Sequence, residues 1–286
     1  MPILPIDLLL PAIGTLIWPI LTSHLNNPEL IRGSLDNTMT QIPETFSLRD
    51  GLLKDKIILI TGATGGFGKA ISLACASHGA SVILLAKNLR LVEALYDEIE
   101  NAGFPKPAIY PMNLEGATES DYQQLAQNID KEFGRLDGLI HCAALLGAPT
   151  SFEHSDTETW YQVHQVNLHA AYLLTRSTIS LLKKSKQASL VFMTDDKKTA
   201  YWDAYSVSKQ GVTAMAQLLA AEFEGSSLHV NCVNPGKTKT ALQIRAFPAA
   251  DDNDSLPTAE DHANIFLYLM SDELQENGAC FSPRNK

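Results

Sequence analysis

From residue 54 onward, short runs of apolar residues alternate with longer stretches that carry apolar residues at helical spacing. KIILIT (56–61), SVILLA (81–86), AIYPM (108–112), LDGLIHC (136–142), SLVFMT (189–194) and LHVNCV (228–233) are such runs, and a last short one lies near 280–281. A run that is apolar throughout, and not at every second position, is buried on both faces. Runs this short suit strands rather than helices. The helices predicted between them cover 67–78, 89–103 with Gly103 as the C-terminal cap, 121–133, a long stretch at 157–183, a stretch through Tyr205 and Lys209 to about 223, and 259–270. This alternation restricts residues 51–286 to an α/β fold: one doubly wound domain whose mostly parallel seven-stranded sheet is covered by helices on both faces. With 45% apolar and 19% charged residues, the chain has the material for such a core.

Residues 1–50 have a different character. ILPIDLLLPAIGTLIWPIL (3–21) carries one charge, Asp7, and is interrupted by Pro5, Pro11 and Pro19. It lacks the basic start and small-residue cleavage site of a signal peptide, and it is barely long enough to span a bilayer. Residues 22–50 read as a polar linker with Asn-Asn-Pro and Gly-Ser breakers. Three readings stay open for the apolar stretch: a membrane contact, an arm packed on the protein or a partner, or a true start at Met39. The net charge of −10 excludes a nucleic-acid partner, because nothing here neutralises a phosphate backbone. Cys75, Cys142, Cys232 and Cys280 are widely spaced in apolar runs, so reduced thiols are expected rather than disulfides or a metal site. The eight histidines form no ligand pattern. The expected location is the cytoplasm, with membrane association if residues 3–21 provide it.

TGATGGFGKA (61–70) follows the first strand and opens the first helix. Glycines at 62, 66 and 68 let the backbone turn tightly and approach a pyrophosphate seated on a helix N-terminus. A dinucleotide site is therefore expected there. At the end of the second strand, Lys87 and Asn88 stand where an acidic residue would hold the ribose 2′-hydroxyl of NAD. A lysine pairs instead with a 2′-phosphate, so NADP is the expected cofactor and NAD the lesser one. Farther on, Tyr205 and Lys209 are four apart, one above the other on a helix face. An ammonium beside a phenol favours the phenolate, which suits a tyrosine acid/base.

TGATGGFG, Asn167 in the long helix, Tyr205-xxx-Lys209 and NPGKTKT (234–240) occur in the order seen in the classical short-chain dehydrogenase/reductase family. The chain resembles that Rossmann-type family over roughly 50–283, most closely its YciK-type bacterial oxidoreductases. The resemblance implies hydride transfer between nicotinamide and a small carbonyl or alcohol substrate, and a homodimer or homotetramer. It makes Tyr205 the general acid/base and has Lys209 lower its pKa and bind the nicotinamide ribose. Asn167 would hold a relay water, and Thr238, after Pro235 and Gly236, would bond the carboxamide. Thr61, Gly62, Gly66, Phe67 and Gly68, then Asn113, Leu114, Cys142 and Ala143, fall on further cofactor-contacting positions.

The sequence also departs from the family. Asp195, preceded by Thr194, stands where the family has a serine that donates to the substrate oxygen, and an ionised aspartate cannot donate. The connection from there to Tyr205 is a few residues shorter than usual. Three adjustments are open: Thr194 takes the serine's place, Asp195 stays protonated, or its carboxylate turns to solvent. The Asn-Ala-Gly turn after the fourth strand is Cys142-Ala143-Ala144, and Asn113 replaces the aspartate that contacts adenine. A cofactor-binding but catalytically weak protein, used for sensing or scaffolding, is the alternative expectation.

Overall fold

The computed structural model describes residues 39–250 and 253–283. Seven strands form one sheet: β1 (Ile57–Thr61), β2 (Ser81–Ala86), β3 (Ala108–Pro111), β4 (Gly138–His141), β5 (Ala188–Met193), β6 (Leu228–Val233) and β7 (Cys280–Phe281). Their order is β3-β2-β1-β4-β5-β6-β7, and every neighbouring pair is parallel, so the sheet is wholly and not just mostly parallel. The helices are α1 (Gly66–Ser77), α2 (Leu89–Asn101), α3 (Glu119–Phe133), α4 (Thr157–His164), α5 (Ala170–Leu182), α6 (Asp203–Glu222), α7 (Ala241–Ala246) and α8 (Ala263–Met270).

Alternate residues of each strand feed two separate cores, which is why the strands are apolar throughout. Ile58, Ile60, Val82, Leu84, Ile140 and Val191 join Ile71 of α1, Val92 of α2 and the apolar face of α8 on one side. Leu59, Ile83, Leu85, Leu139, Leu190 and Phe192 join Leu125 of α3, Leu174 of α5 and Val212 of α6 on the other. At the N-terminal end of the sheet, buried Asp137 accepts the Ile57 N–H at 2.9 Å and the Ser185 hydroxyl at 2.6 Å. Arg135 Nε donates to the same carboxylate at 3.1 Å.

Several element bounds differ from those expected, each for a local reason. α3 begins at Glu119 because the Asp121 carboxylate takes the Thr118 N–H at 2.7 Å, capping the helix two residues early. The long helix over 157–183 is broken by a π-helical turn, Gln165–His169, that separates α4 from α5. The first turn expected of the last helix is a 3-10 turn, Glu260–His262. The expected loop after 240 contains α7, with the Thr240 side chain accepting the Gln243 N–H.

Over its described part, the stretch read as linker packs on the sheet. The Thr40 N–H donates to the Cys280 carbonyl at 2.8 Å, and the Ser282 N–H returns to the Thr40 carbonyl at 3.0 Å. Phe46 meets Tyr268 edge-on at 5.1 Å. The segment thereby covers the free edge of β7. Residues 3–21, where a membrane contact was expected, lie outside the described residues. Among the described residues no helix is long and apolar enough to cross a membrane, and no cluster of side chains could hold a metal ion.

Candidate active site

Seven parallel strands bring their C-terminal ends to one edge of the sheet. A crevice opens there because the strand order reverses around β1 and β4. It is a cleft of about 410 Å³, lined by the β1–α1 turn, the ends of the central strands and α7. That volume is within the usual range for a site that encloses a cofactor-sized ligand.

The β1–α1 turn is shaped by close approach of backbone. Gly62 has φ +63°, and a Cβ on it would lie 2.9 Å from the Ala143 Cα. A Cβ on Gly68 would lie 2.1 Å from the Gly62 carbonyl oxygen. No side chain caps α1, and no acidic residue sits in its first turn. Gly66, Phe67 and Gly68 line the cleft at that N-terminus, which is suited to an anion. Thr61 is buried behind the turn, its hydroxyl accepting the N–H groups of Cys142 and Ala143, each at 3.1 Å. It ties the turn to the loop after β4 and does not line the cleft.

Lys87 lines the cleft at the end of β2, but it is paired with Glu115 at 3.3 Å. Asn88 is the N-cap of α2, accepting the Leu91 N–H. Asn113 and Leu114 line the same side of the cleft, and Asn113 accepts the Glu115 N–H at 3.3 Å. Cys142 and Ala143 form the floor. Burial pushes the Cys142 thiol up to about 12, partly offset by Lys209, so it stays protonated. His141 behind it is buried, bonded to Thr175 at 2.9 Å and kept neutral by burial.

At the other end, Tyr205 and Lys209 are buried on the first turns of α6 and both line the cleft. The Lys209 ammonium donates to the Met193 carbonyl at 2.8 Å, and burial brings its pKa down to about 8 against an opposing pull from Asp195. The Tyr205 hydroxyl donates to Asp195 Oδ2 at 3.1 Å. Burial first, then the Asp195 charge and this hydrogen bond, raise the phenol above its ordinary range. The phenol lies above its ordinary range, where Lys209 was expected to lower it, and burial is the larger cause.

Of the adjustments foreseen for Asp195, a turn of its carboxylate to solvent is not the one seen. Thr194 also lines the cleft, and its hydroxyl bonds the Val233 carbonyl at 3.3 Å and lies 3.9 Å from Cys280 Sγ. The Asp195 carboxylate faces the phenol instead of solvent, with Oδ1 held by the Lys197 N–H at 3.2 Å. The short connection holds two non-glycine residues at positive φ, Tyr201 (73°) and Asp203 (43°). Backbone in that region is costly for such residues and persists only where the surroundings impose it.

Asn167 does not line the cleft; it sits in the π-helical turn. Its side chain accepts the Leu145 N–H at 2.7 Å and donates to the Leu145 carbonyl at 2.9 Å and to Ser208 at 3.0 Å. It braces the loop after β4 against α6. Pro235, Gly236 and Thr238 line the cleft after β6. Thr238 shares a 3.0 Å hydrogen bond with buried His262, which stacks on Phe67 at 5.9 Å. The sequence reading missed His262 and Glu115, and also Thr240, Gln243 and Arg245 near α7, which all line the cleft except His262. Only the Thr240 cap was a local signal, since the other contacts are made across the fold.

Comparison with known proteins agrees with this arrangement. The family model described as short chain dehydrogenase matches residues 56–251. The uncharacterized oxidoreductase YciK of Escherichia coli K12 is 38% identical over 231 residues, spanning 80% of this chain and 91% of that protein. A solved short chain dehydrogenase from Escherichia coli CFT073, complexed with NADPH, superposes with a TM-score of 0.80 at 38% identity, covering 83% of this chain and all of that one. A Shigella flexneri 2a counterpart complexed with NADP superposes at 0.79 with 37% identity, covering 82% and 99% of the two chains.

Proposed function

Because this chain belongs to the short-chain dehydrogenase family, we propose that it is an NADP-dependent oxidoreductase that works in the reductive direction on a polarised double bond, a carbonyl in the first instance. The observation that carries the reading is that one cleft joins the glycine turn at one end to the buried Tyr205 hydroxyl at the other.

The turn and the uncapped α1 N-terminus fit a pyrophosphate, since any side chain at Gly68 would fill that approach. Lys87 would meet the 2′-phosphate, leaving Glu115 to do so, and the NADP and NADPH complexes of the relatives support that choice. Lys209 would hold the nicotinamide ribose, and Thr238, oriented by His262, the carboxamide. The reduced nicotinamide, when bound, supplies hydride. Tyr205 would supply the proton to the substrate oxygen, since its phenol is protonated at neutral pH and lines the cleft. Asn167 keeps the loop after β4 and α6 in register around that reaction.

A weakly catalytic, cofactor-binding role is the second reading, favoured by the Tyr205–Asp195 hydrogen bond, which ties up the proton donor. A carbonyl screen that follows NADPH absorbance separates the two. Under the enzyme reading, Tyr205→Phe lowers carbonyl turnover by about 10²–10⁴ while NADPH still binds. NADPH binding with no turnover of any carbonyl favours the second reading.

A further inference from the structure

Resting on the hydride-transfer reading above, we propose that the preferred acceptor is a carbon–nitrogen double bond, an imine taken up in its protonated form, with Asp195 as the carboxylate that recognises it. Asp195 lines the cleft, and both carboxylate oxygens are fixed: Oδ2 lies 3.1 Å from the Tyr205 hydroxyl and Oδ1 is held by the Lys197 N–H. Its main-chain carbonyl accepts from Gln210 Nε2 at 3.0 Å. A substrate atom within reach of Tyr205 is therefore also beside this carboxylate.

Charge decides which atom suits that position. Of the charged side chains lining the cleft, Lys87 and Glu115 pair with each other on the β2–β3 side, and Arg245 is exposed on α7. Lys209 and Asp195 stand at the Tyr205 end. With a neutral residue at 195, the Lys209 ammonium alone would favour an oxygen that gains negative charge. Asp195 cancels that field and opposes an oxyanion about 4 Å away. The carboxylate itself offers only acceptors and occupies the Tyr205 hydroxyl, so a carbonyl oxygen must compete for that donor, whereas the N–H of a protonated imine finds an acceptor directly.

Aromatic faces adjoin the same end. Trp202 packs on Tyr205 at 5.8 Å and on Phe247 at 5.7 Å, and the Lys197 ammonium already lies 5.7 Å from the Trp202 ring. Neither Trp202 nor Phe247 lines the cleft, so the carboxylate rather than the rings carries the recognition.

The chemistry balances without a proton from the protein. The iminium carbon gains a C–H bond with the hydride that reduced nicotinamide would give up on being oxidised, and the π pair of the C=N bond moves onto nitrogen and cancels its charge. The amine formed takes its later proton from water, and Tyr205 keeps its bond to Asp195 throughout.

The test uses the full chain and begins with a calorimetric titration of NADPH. A second titration uses tetrahydroisoquinolinium, the product cation, without NADP present so that it is not oxidised. NADPH oxidation is then followed with 3,4-dihydroisoquinoline and with 1-tetralone, a ketone of similar size. The expected results are saturable binding of the cation, weakened about 10-fold in Asp195→Asn and Asp195→Ser, and a kcat/KM for the imine about 100-fold above that for the ketone. Asp195→Ser collapses or inverts that ratio, and Tyr205→Phe slows the ketone more than the imine. If NADPH binds but the ketone is the better substrate, neither is reduced, or the ratio ignores Asp195→Ser, the inference is overturned and the dinucleotide reading stands. If NADPH does not bind, both fall together.

Discussion

At the β1–α1 turn, Gly62 and Gly68 stand where any side chain would collide with backbone, whereas at the β5–α6 connection Asp195 acts through its side chain, bonded to Tyr205 and Lys197. The first region has little freedom to vary while it still admits a phosphate. The second can change its chemistry by one side chain without disturbing the sheet, because Thr194 and Met193 anchor the strand end whatever follows. Binding and chemistry are thus encoded differently within one cleft, the former in backbone approach and the latter in side-chain charge.

The largest expected effect breaks the backbone side of this contrast. Gly68→Val adds atoms into a gap of 2.1 Å to the Gly62 carbonyl, so the turn must open. NADPH affinity should fall by about 100-fold in a calorimetric titration, with the thermal midpoint recorded beside it. Undiminished affinity would show that the turn does not cradle the dinucleotide.

A smaller effect is expected where binding rests on a side chain. Lys87→Asp should narrow or reverse the preference for NADPH over NADH, by about 1–3 kcal/mol for one charge-assisted contact. The Glu115 partner and the exposure of Lys87 put the expected value toward the low end of that range. Equal affinities for the two dinucleotides in the unmodified protein would remove Lys87 from the site.

The smallest effect sharpens the chemical side. The Thr194 hydroxyl is engaged by the Val233 carbonyl, so Thr194→Val should leave turnover within about threefold and lower stability by about 1 kcal/mol. A loss of activity near that of Tyr205→Phe would return Thr194 to the catalytic role and displace Asp195 from it.

The features legible in the sequence are those that local sterics and periodicity impose. The strands, the glycine turn and the Tyr205–Lys209 pair fall where the residues indicate, because each depends on neighbours in the chain. The π-helical turn at Gln165–His169 is not legible, since the Asn167 bonds to Leu145 and Ser208 join residues far apart in sequence. The pairing of Thr238 with His262 is equally non-local. At Asp195 the sequence shows the substitution but not its direction. The shortened connection, with Tyr201 and Asp203 at positive φ, precedes the helix turn that puts the phenol on the carboxylate.

The claim that one cleft joins a dinucleotide cradle to Tyr205 is tested most directly by titrating NADPH and NADH into the full chain by calorimetry. The account predicts saturable binding of one NADPH per chain, tighter than NADH. Heats that do not saturate with either dinucleotide would contradict it.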